Sequence, residues 1–268
     1  MKIAVSNIAW PAELDDTAYA LLRMAGVRGL EVAPTRAWPE WQGITPSSLA
    51  EYRQRVEDAG LRISSLQSIL FQKPELQMFG ASGEFAEHLQ YCADIATALG
   101  AKCIVLGAPK NRLRGNVTES DAMQRAVDIL FPIAEYYTQQ GIALCLEANP
   151  VQYCCDFVTH GSQAASLVRS VGSPGLRLHL DTACALMAGD DIAALVRKHA
   201  DILAHFHASE PMLGAFNSPL AEHDAAANAL CESQYKHWIA VEMCTQPDAL
   251  ASLATAAQYA VRAYGGLC

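Results

Sequence analysis

Short runs of apolar, often β-branched residues recur along the chain at near-regular intervals. Eight of them have the length of buried strands: residues 3–5, 29–32, 63–66, 103–106, 142–146, 176–180, 202–206 and 238–241. The stretches between these runs have helical spacing, and Ser47, Ser48 and Thr118 stand where helices should begin. Glycines stand where helices should end, just before the next strand: Gly26, Gly60, Gly100 and Gly141.

The repeated order of strand and helix predicts the fold class. Eight strand–helix repeats in 268 residues match the size of an α/β protein with a single (β/α)₈ TIM barrel. A doubly wound sheet would usually have fewer strands and a glycine-rich phosphate loop after the first, and none follows Val5. Because no linker-like segment divides the chain, we expect residues 1–268 to form one catalytic domain.

Composition narrows the classes of partner. The formal net charge of −9 argues against nucleic acid, because the protein's own field would oppose contact with a phosphate backbone. No export signal opens the chain, and no run approaches the roughly 18 apolar residues of a membrane span. Nine cysteines without a Cys-x-x-Cys pair suit a reducing compartment. We therefore expect a soluble cytoplasmic protein with a small-molecule substrate and no membrane partner.

Polar side chains end the last four apolar runs. Glu147, Asp181, His207 and Glu242 each follow an apolar run directly, about one strand–helix unit apart. Catalytic groups of this fold lie at the carboxyl ends of strands, and neighbouring strands are about 4.8 Å apart. Four adjacent strands could therefore direct one group each at a single ion. The alternative for any one of them is a solvated loop residue or a helix cap.

Three carboxylates and one imidazole predict a site for one divalent metal ion. This hard donor set favours Mn²⁺ or Mg²⁺, with Mn²⁺ first and with Co²⁺ and Zn²⁺ as alternatives. An ion that prefers six ligands would keep about two positions for adjacent substrate oxygens, such as those of an α-hydroxy carbonyl. His179 and His205 share a strand face with Asp181 and His207 one layer deeper, so we expect them to support the ligands or to fill the core.

The chain resembles the sugar phosphate isomerase/epimerase family, the xylose isomerase-like barrels that include the D-tagatose and D-psicose 3-epimerases. The resemblance extends over the whole chain, through residues 2–10, 29–32, 64–68, 106–112, 146–150 and 241–243, and its most specific part is the ordered set Glu147, Asp181, His207 and Glu242. It implies that these four residues bind the metal. It further implies that Glu147 and Glu242 act as an acid/base pair on opposite faces of a sugar, through an enediolate.

Three positions depart from the pattern of the ketose 3-epimerases. Where those relatives have a His, an Arg and a second Glu, this chain has Cys184, Leu213 and Tyr153. Related reactions therefore stay open as alternatives: aldose–ketose isomerisation of the hydroxypyruvate type, or dehydration of a keto-inositol. An inactive sugar-binding barrel and an endonuclease IV-like repair enzyme are more distant alternatives. Family relatives are often dimers or tetramers, and the sequence itself leaves open whether this chain is a monomer or a homo-oligomer.

Further residues are candidates for contacts with the substrate. They lie at predicted strand ends or in the loops that follow: Gln67, Lys110, Asn111, Arg112, Asn149, Tyr153 and His223. Lys110 and Arg112 could hold a carboxylate, a phosphate or a hydroxyl group. Tyr153 could stack on a sugar face. The alternative in each case is an ordinary surface loop or rim packing.

Overall fold

The structure is a computed structural model that describes residues 1–80 and 83–266. Eight parallel strands close into a barrel in chain order, so the predicted (β/α)₈ fold is confirmed. The strands are β1 (Lys2–Ser6), β2 (Gly29–Val32), β3 (Arg62–Leu66), β4 (Cys103–Leu106), β5 (Ala143–Glu147), β6 (Leu176–Asp181), β7 (Leu203–Ser209) and β8 (Trp238–Glu242). Each predicted run coincides with one strand, and the ends agree to within one residue except at β7, which extends three residues beyond the predicted end.

Helices cover the outside of the barrel. They are α1 (Asp15–Met24), α2 (Pro34–Ala37), α3 (Pro46–Asp58), α4 (Glu84–Leu99), α5 (Glu119–Gln140), α6 (Gly161–Val171), α7 (Thr182–Ala188), α8 (Ile192–His199), α9 (His223–Glu232) and α10 (Ala249–Tyr264). Thr118 caps α5 as expected. The cap of α3 is Thr45 and not the predicted Ser47–Ser48 pair, because Ser48 lies in the first turn and forms a capping box with Thr45. None of the described helices has the length and apolar character needed to cross a membrane.

The core has two parts that follow from the alternation of side chains along each strand. Outward-facing residues such as Leu30, Ile104 and Phe206 are fully buried beneath the helices. Inward-facing residues fill the barrel itself, and several of them are polar, including Glu31 and His205, neither of which has any exposed surface. A buried polar interior must satisfy its own charges and hydrogen bonds. These buried polar residues therefore indicate that the functional site lies inside the barrel, near Glu31 and His205.

Candidate active site

Strand register brings the four predicted ligands to one end of the barrel. Glu147 on β5 pairs with His179 on β6, and Asp181 pairs with His207 on β7. Glu242 on β8 pairs with Ser209, two residues beyond His207. The strands of such a barrel tilt by about 36° from its axis, so these steps in register are compensated by the tilt. All four side chains therefore reach the rim at the carboxyl ends of the strands.

His207 is the centre of the cluster. Its Nδ1 lies 3.3 Å from Glu242 Oε2, 3.8 Å from Asp181 Oδ2 and 3.9 Å from Glu147 Oε1. The His207 ring is 1% exposed, and Nδ1 forms no hydrogen bond with any described residue. One ring nitrogen thus faces oxygens from three different strands.

The three carboxyl groups crowd a buried space. Burial raises the pKa of Glu147, and burial together with Glu147 raises the pKa of Asp181. Burial, with Glu147 and Asp181 adding repulsion, raises the pKa of Glu242 to about 7, against the lowering effect of His207. Burial opposes the charge on His207, but Glu31 and Glu242 raise its pKa well above the usual value. Negative charge is therefore costly here without a cation among the oxygens.

The donor set fits a metal ion. Ligand atoms of Glu147, His179, Asp181 and His207 lie within 4.8 Å of one another in the described part of the chain. Glu242 joins this group through its short distance to His207. His179 is thus closer to the carboxylates than expected, with Nε2 3.4 Å from Glu147 Oε1. Three carboxylates beside an uncommitted imidazole nitrogen are suitable ligands for a divalent cation such as Mn²⁺ or Mg²⁺.

Hydrogen bonds hold the carboxylates of Glu147 and Asp181 in place. Asn149 Nδ2 donates to Glu147 Oε2 at 2.7 Å. Asp181 Oδ1 accepts from the backbone N–H of Cys184 at 2.6 Å, and Ser209 Oγ donates to Asp181 Oδ2 at 2.6 Å. The carboxylates are therefore fixed before any ligand arrives. Such preorganisation is what a metal or catalytic site requires.

Glu31 is a functional candidate that the sequence analysis missed. It lies on β2 and contacts both inner histidines: its Oε2 is 2.7 Å from His205 Nε2, and its Oε1 is 2.9 Å from His207 Nε2. The His207 contact is within ion-pair distance but does not have the geometry of a hydrogen bond. The sequence feature that could have identified Glu31 is its position as the single carboxylate in the short apolar run of β2. A buried charge in such a run needs a partner.

A cavity of about 760 Å³ opens above the cluster. Its lining includes Glu147, Asp181 and Glu242 together with five of the predicted substrate-contacting residues: Gln67, Lys110, Asn111, Asn149 and Tyr153. Lys110 is exposed and forms no ion pair or hydrogen bond within residues 1–80 and 83–266. The side-chain nitrogen of Asn111 is already used, since it donates to the carbonyls of Lys73 and Leu76.

Arg112 occupies a different place from the one predicted. Its side chain is 2% exposed and lies behind the cavity wall. Its five N–H groups donate to the carbonyl oxygens of Gly107, Phe157, Val158 and Glu147 and to Asn149 Oδ1. No donor remains for a substrate. Arg112 therefore supports Glu147 and Asn149 from behind.

His223 is also placed away from the cavity. It is the first residue of α9 and is buried. Its Nε2 lies 2.7 Å from Glu210 Oε1 and its Nδ1 lies 2.6 Å from the hydroxyl of Tyr264. Both ring nitrogens are thus committed to the protein. The geometry gives His223 a structural position and no access to a substrate in the cavity.

The three positions that depart from the ketose 3-epimerase pattern share one location. Cys184, Leu213 and Tyr153 all line the cavity. Burial raises the pKa of the Tyr153 hydroxyl, and burial with the neighbouring Asp181 raises the pKa of the Cys184 thiol. These side chains are neutral where a His, an Arg and a Glu would carry charge or exchange protons. The substrate-facing wall of this chain is therefore uncharged at these three positions.

Known proteins with this fold include sugar epimerases. The chain is 24% identical over 235 residues to an L-ribulose 3-epimerase from Methylomonas sp. (strain DH-1), a match covering 87% of this chain and 79% of that protein. A solved L-ribulose 3-epimerase superposes with a TM-score of 0.82 at 19% identity, over 99% of this chain and 95% of that one. D-psicose 3-epimerase from Clostridium cellulolyticum H10, solved with D-tagatose, superposes with a TM-score of 0.80 at 14% identity, over 100% of this chain and 99% of that one.

The assignment to a family rests on a family model that matches most of the chain, and a further solved structure shows the same fold. A zinc-containing structure, the IOLI protein, has the same fold, with a TM-score of 0.77 at 18% identity over 100% of this chain and 99% of that one. The family model described as "Xylose isomerase-like TIM barrel" matches residues 19–262, which include all four predicted ligands. The chain belongs to the xylose isomerase-like TIM barrel family.

Proposed function

We propose that this protein is a divalent-metal-dependent epimerase of sugars or sugar phosphates. The observation that carries the proposal is the position of His207 Nδ1, which faces Glu147, Asp181 and Glu242 at 3.3–3.9 Å on the floor of the cavity. The sequence match to an L-ribulose 3-epimerase supports a carbohydrate as substrate. Glu147, Asp181, His207 and Glu242 would hold the ion, for which Mn²⁺ is the first candidate.

Two glutamates give the site two bases. Glu147 comes from β5 and Glu242 from β8, so the strands carrying Asp181 and His207 lie between them. This separation supports a pair that works on opposite faces of a bound sugar. A divalent cation would supply polarisation of the substrate carbonyl, which acidifies the neighbouring C–H. One glutamate would then remove that proton, and the other would deliver a proton to the opposite face, which inverts the carbon.

The remaining cavity residues would orient the substrate. Lys110, with its free ammonium group at the rim, would bind a phosphate or hydroxyl group far from the reacting carbon. Gln67 would contact sugar hydroxyls, and Tyr153 would pack against the ring. Asn149, whose amide already joins Arg112 to Glu147, would mainly orient Glu147 at the cavity wall. Asn111 and Arg112 would act by shaping the loop after β4. A small carbohydrate as sole partner, a cytoplasmic location and a homo-oligomeric state complete the proposal.

A second candidate is isomerisation or dehydration by the same metal and base. It is favoured by Cys184, Leu213 and Tyr153, which give the cavity a neutral wall where ketose 3-epimerases have ionisable groups. These reactions share the first proton abstraction and differ in the later steps. Their products therefore distinguish them from epimers.

Proton exchange tests both candidates. The metal-loaded protein is incubated in D₂O with a panel of ketoses and ketose phosphates, and the recovered sugars are read by proton NMR after the ion is removed. We expect deuterium at one carbon together with the inverted epimer. An aldose or an unsaturated product with exchange would favour the second candidate. Absence of exchange into every sugar by the loaded protein, compared with chelator-treated protein, would contradict both.

Two variants test the two-base arrangement. Glu147→Gln and Glu242→Gln should each abolish net epimerisation, while each retains deuterium exchange into only one epimer. Metal content is measured first, because both residues are proposed ligands. Net epimerisation by either variant in its metal-replete form would exclude the pair and favour proton transfer by a single group.

A further inference from the structure

We propose that Glu31 is a positioning residue that fixes the orientation and tautomer of His207. In this arrangement Nε2 of His207 carries its proton toward Glu31, and Nδ1 presents its lone pair to the metal position. The inference rests on the proposed function, because it concerns how the chain prepares a metal ligand. Glu31 itself would touch neither the ion nor the substrate.

The contacts of Glu31 are divided between its two oxygens. Oε2 accepts from Ser65 Oγ at 2.6 Å and lies 2.7 Å from His205 Nε2. Among the described residues, the polar neighbour of Oε1 at such a distance is His207 Nε2, at 2.9 Å. Because Oε2 already has two partners, Oε1 is left for His207. The carboxylate therefore joins the two inner histidines of β7 from the opposite side of the barrel.

The chemistry of a carboxylate decides the tautomer of His207. An ionised carboxylate only accepts hydrogen bonds, so a close imidazole nitrogen must carry the proton. A neutral imidazole protonated at Nε2 has its lone pair at Nδ1. That atom is the one directed at Glu147, Asp181 and Glu242. Metal-ligating histidines usually donate their other N–H to a carboxylate or carbonyl, which orients the ring and raises its basicity.

A local irregularity of the barrel holds Glu31 in place. Between β2 and β3 the pairing shifts, so that Leu30 pairs with Ile63 and Glu31 with Ser65. Ser64 is the extra residue of this bulge. Its Oγ donates to the Leu30 carbonyl and lies 3.0 Å from Ser65 Oγ. The bulge thus brings the Ser65 hydroxyl group next to a carboxylate that has no exposed surface and is absent from the cavity wall.

Zinc binding by the full-length protein tests the role of Glu31. Affinity for Zn²⁺ is measured by competition with a chromophoric chelator for the wild type, Glu31→Gln and Ser65→Ala. Glu31→Gln keeps the size of the side chain and loses the charge, so we expect affinity to fall by roughly ten- to a hundredfold. Ser65→Ala is the control, because it removes one contact of Glu31 Oε2 and leaves the negative charge of Glu31 and the oxygen Oε1 that faces His207. The Zn²⁺ affinity of Ser65→Ala should differ from that of the wild type by less than about threefold.

Nitrogen NMR of the wild-type histidines gives a readout that needs no folded variant. With Zn²⁺ bound, ¹⁵N shifts and couplings should show His207 protonated at Nε2 and ligated at Nδ1. Ligation through Nε2 would overturn the inference, and so would equal zinc affinities of Glu31→Gln and wild type. Equal losses in Glu31→Gln and Ser65→Ala would also overturn it, by showing a general effect of the buried cluster. A wild type that binds no divalent ion would overturn the proposed metal site, and the inference with it.

Discussion

Asn149 donates a hydrogen bond from its Nδ2 to Glu147 Oε2 at 2.7 Å, so the residue two positions after the proposed base holds one of its oxygens. Arg112 in turn donates to Asn149 Oδ1 at 2.7 Å. Gly107, at the end of β4, faces the same glutamate oxygen, and a Cβ atom built there would lie 2.3 Å from it. The carboxylate of Glu147 is therefore confined on several sides, which fixes where its other oxygen points.

Gly107→Ala should displace the Glu147 carboxylate and reduce metal affinity and turnover by about tenfold or more. The backbone at Gly107 has no positive φ, so alanine is strained only by the contact with Glu147. Metal affinity, kcat and Tm are measured together. Gly43→Ala is the matched control, because nothing lies within 4 Å of a Cβ at that position. Unchanged affinity and kcat in Gly107→Ala would show that the position of Glu147 tolerates the shift.

Asp181→Asn should abolish retention of a divalent ion. The Asp181 carboxylate accepts hydrogen bonds from the backbone N–H of Cys184 and from the Ser209 hydroxyl. Asparagine would remove the negative charge, and its NH₂ group would face one of these two hydrogen-bond donors. The wild type should hold about one ion per chain, and added ion should raise its Tm in proportion to the logarithm of concentration over Kd. Elemental analysis and thermal shift are the measurements. Asp128→Asn on the exposed face of α5 is the control, and equal metal content in both variants would contradict the assignment.

Lys110→Ala should raise KM by roughly ten- to a hundredfold on an anionic or hydroxyl-rich substrate, with a smaller effect on kcat. Lys110 lines the cavity and is free of partners in the described part of the chain, so its ammonium group is available to a ligand. Steady-state kinetics on a sugar found by the exchange experiment provide the measurement. Lys198→Ala on α8, outside the cavity, serves as control. Equal KM values for the two variants would make Lys110 an ordinary surface residue.

Arg112→Lys should destabilise the protein and should not act mainly on KM. Lysine cannot replace five planar donors, so several buried carbonyl groups would lose their partners. We expect the free energy of unfolding to fall by about 3 kcal/mol. Urea denaturation of the wild type and the variant measures this change. Arg125→Lys, on the exposed part of α5, is the control. A stable Arg112→Lys protein with a large KM increase would restore Arg112 as a substrate anchor.

His223→Gln should lower stability and leave KM unchanged. The imidazole joins Glu210 to Tyr264, and Glu210 also accepts from the backbone N–H groups of Leu220 and Ala221. Loss of one of these buried contacts should cost about 1–3 kcal/mol. Denaturant unfolding and steady-state kinetics together separate the two roles. An increased KM at unchanged stability would contradict the structural position of His223.

Residues at strand ends could be predicted because their environment is local. The apolar runs of β5, β6, β7 and β8 place Glu147, Asp181, His207 and Glu242 at or near the carboxyl ends of their strands, so all four could be assigned to one rim of the barrel. β7 continues for two residues beyond His207, to Ser209. The number and order of strands followed from the same pattern, and the structure confirms them. What the sequence determined was therefore the fold and the four polar side chains at the carboxyl ends of β5 to β8.

Only the tertiary structure decided which buried groups meet. Glu31 contacts His205, which is 174 positions away in the sequence, and no sequence pattern in β2 predicts this contact. After β4 the backbone of Ala108 lies in the left-handed region, with φ of 48°. In the loop that follows this turn, the Arg112 side chain is buried, whereas the Lys110 side chain lines the cavity. Such a backbone conformation is unfavourable for alanine by itself and is stabilised by surrounding contacts. Neighbouring residues in the sequence therefore differ in role, because loop conformation depends on contacts distant in the chain.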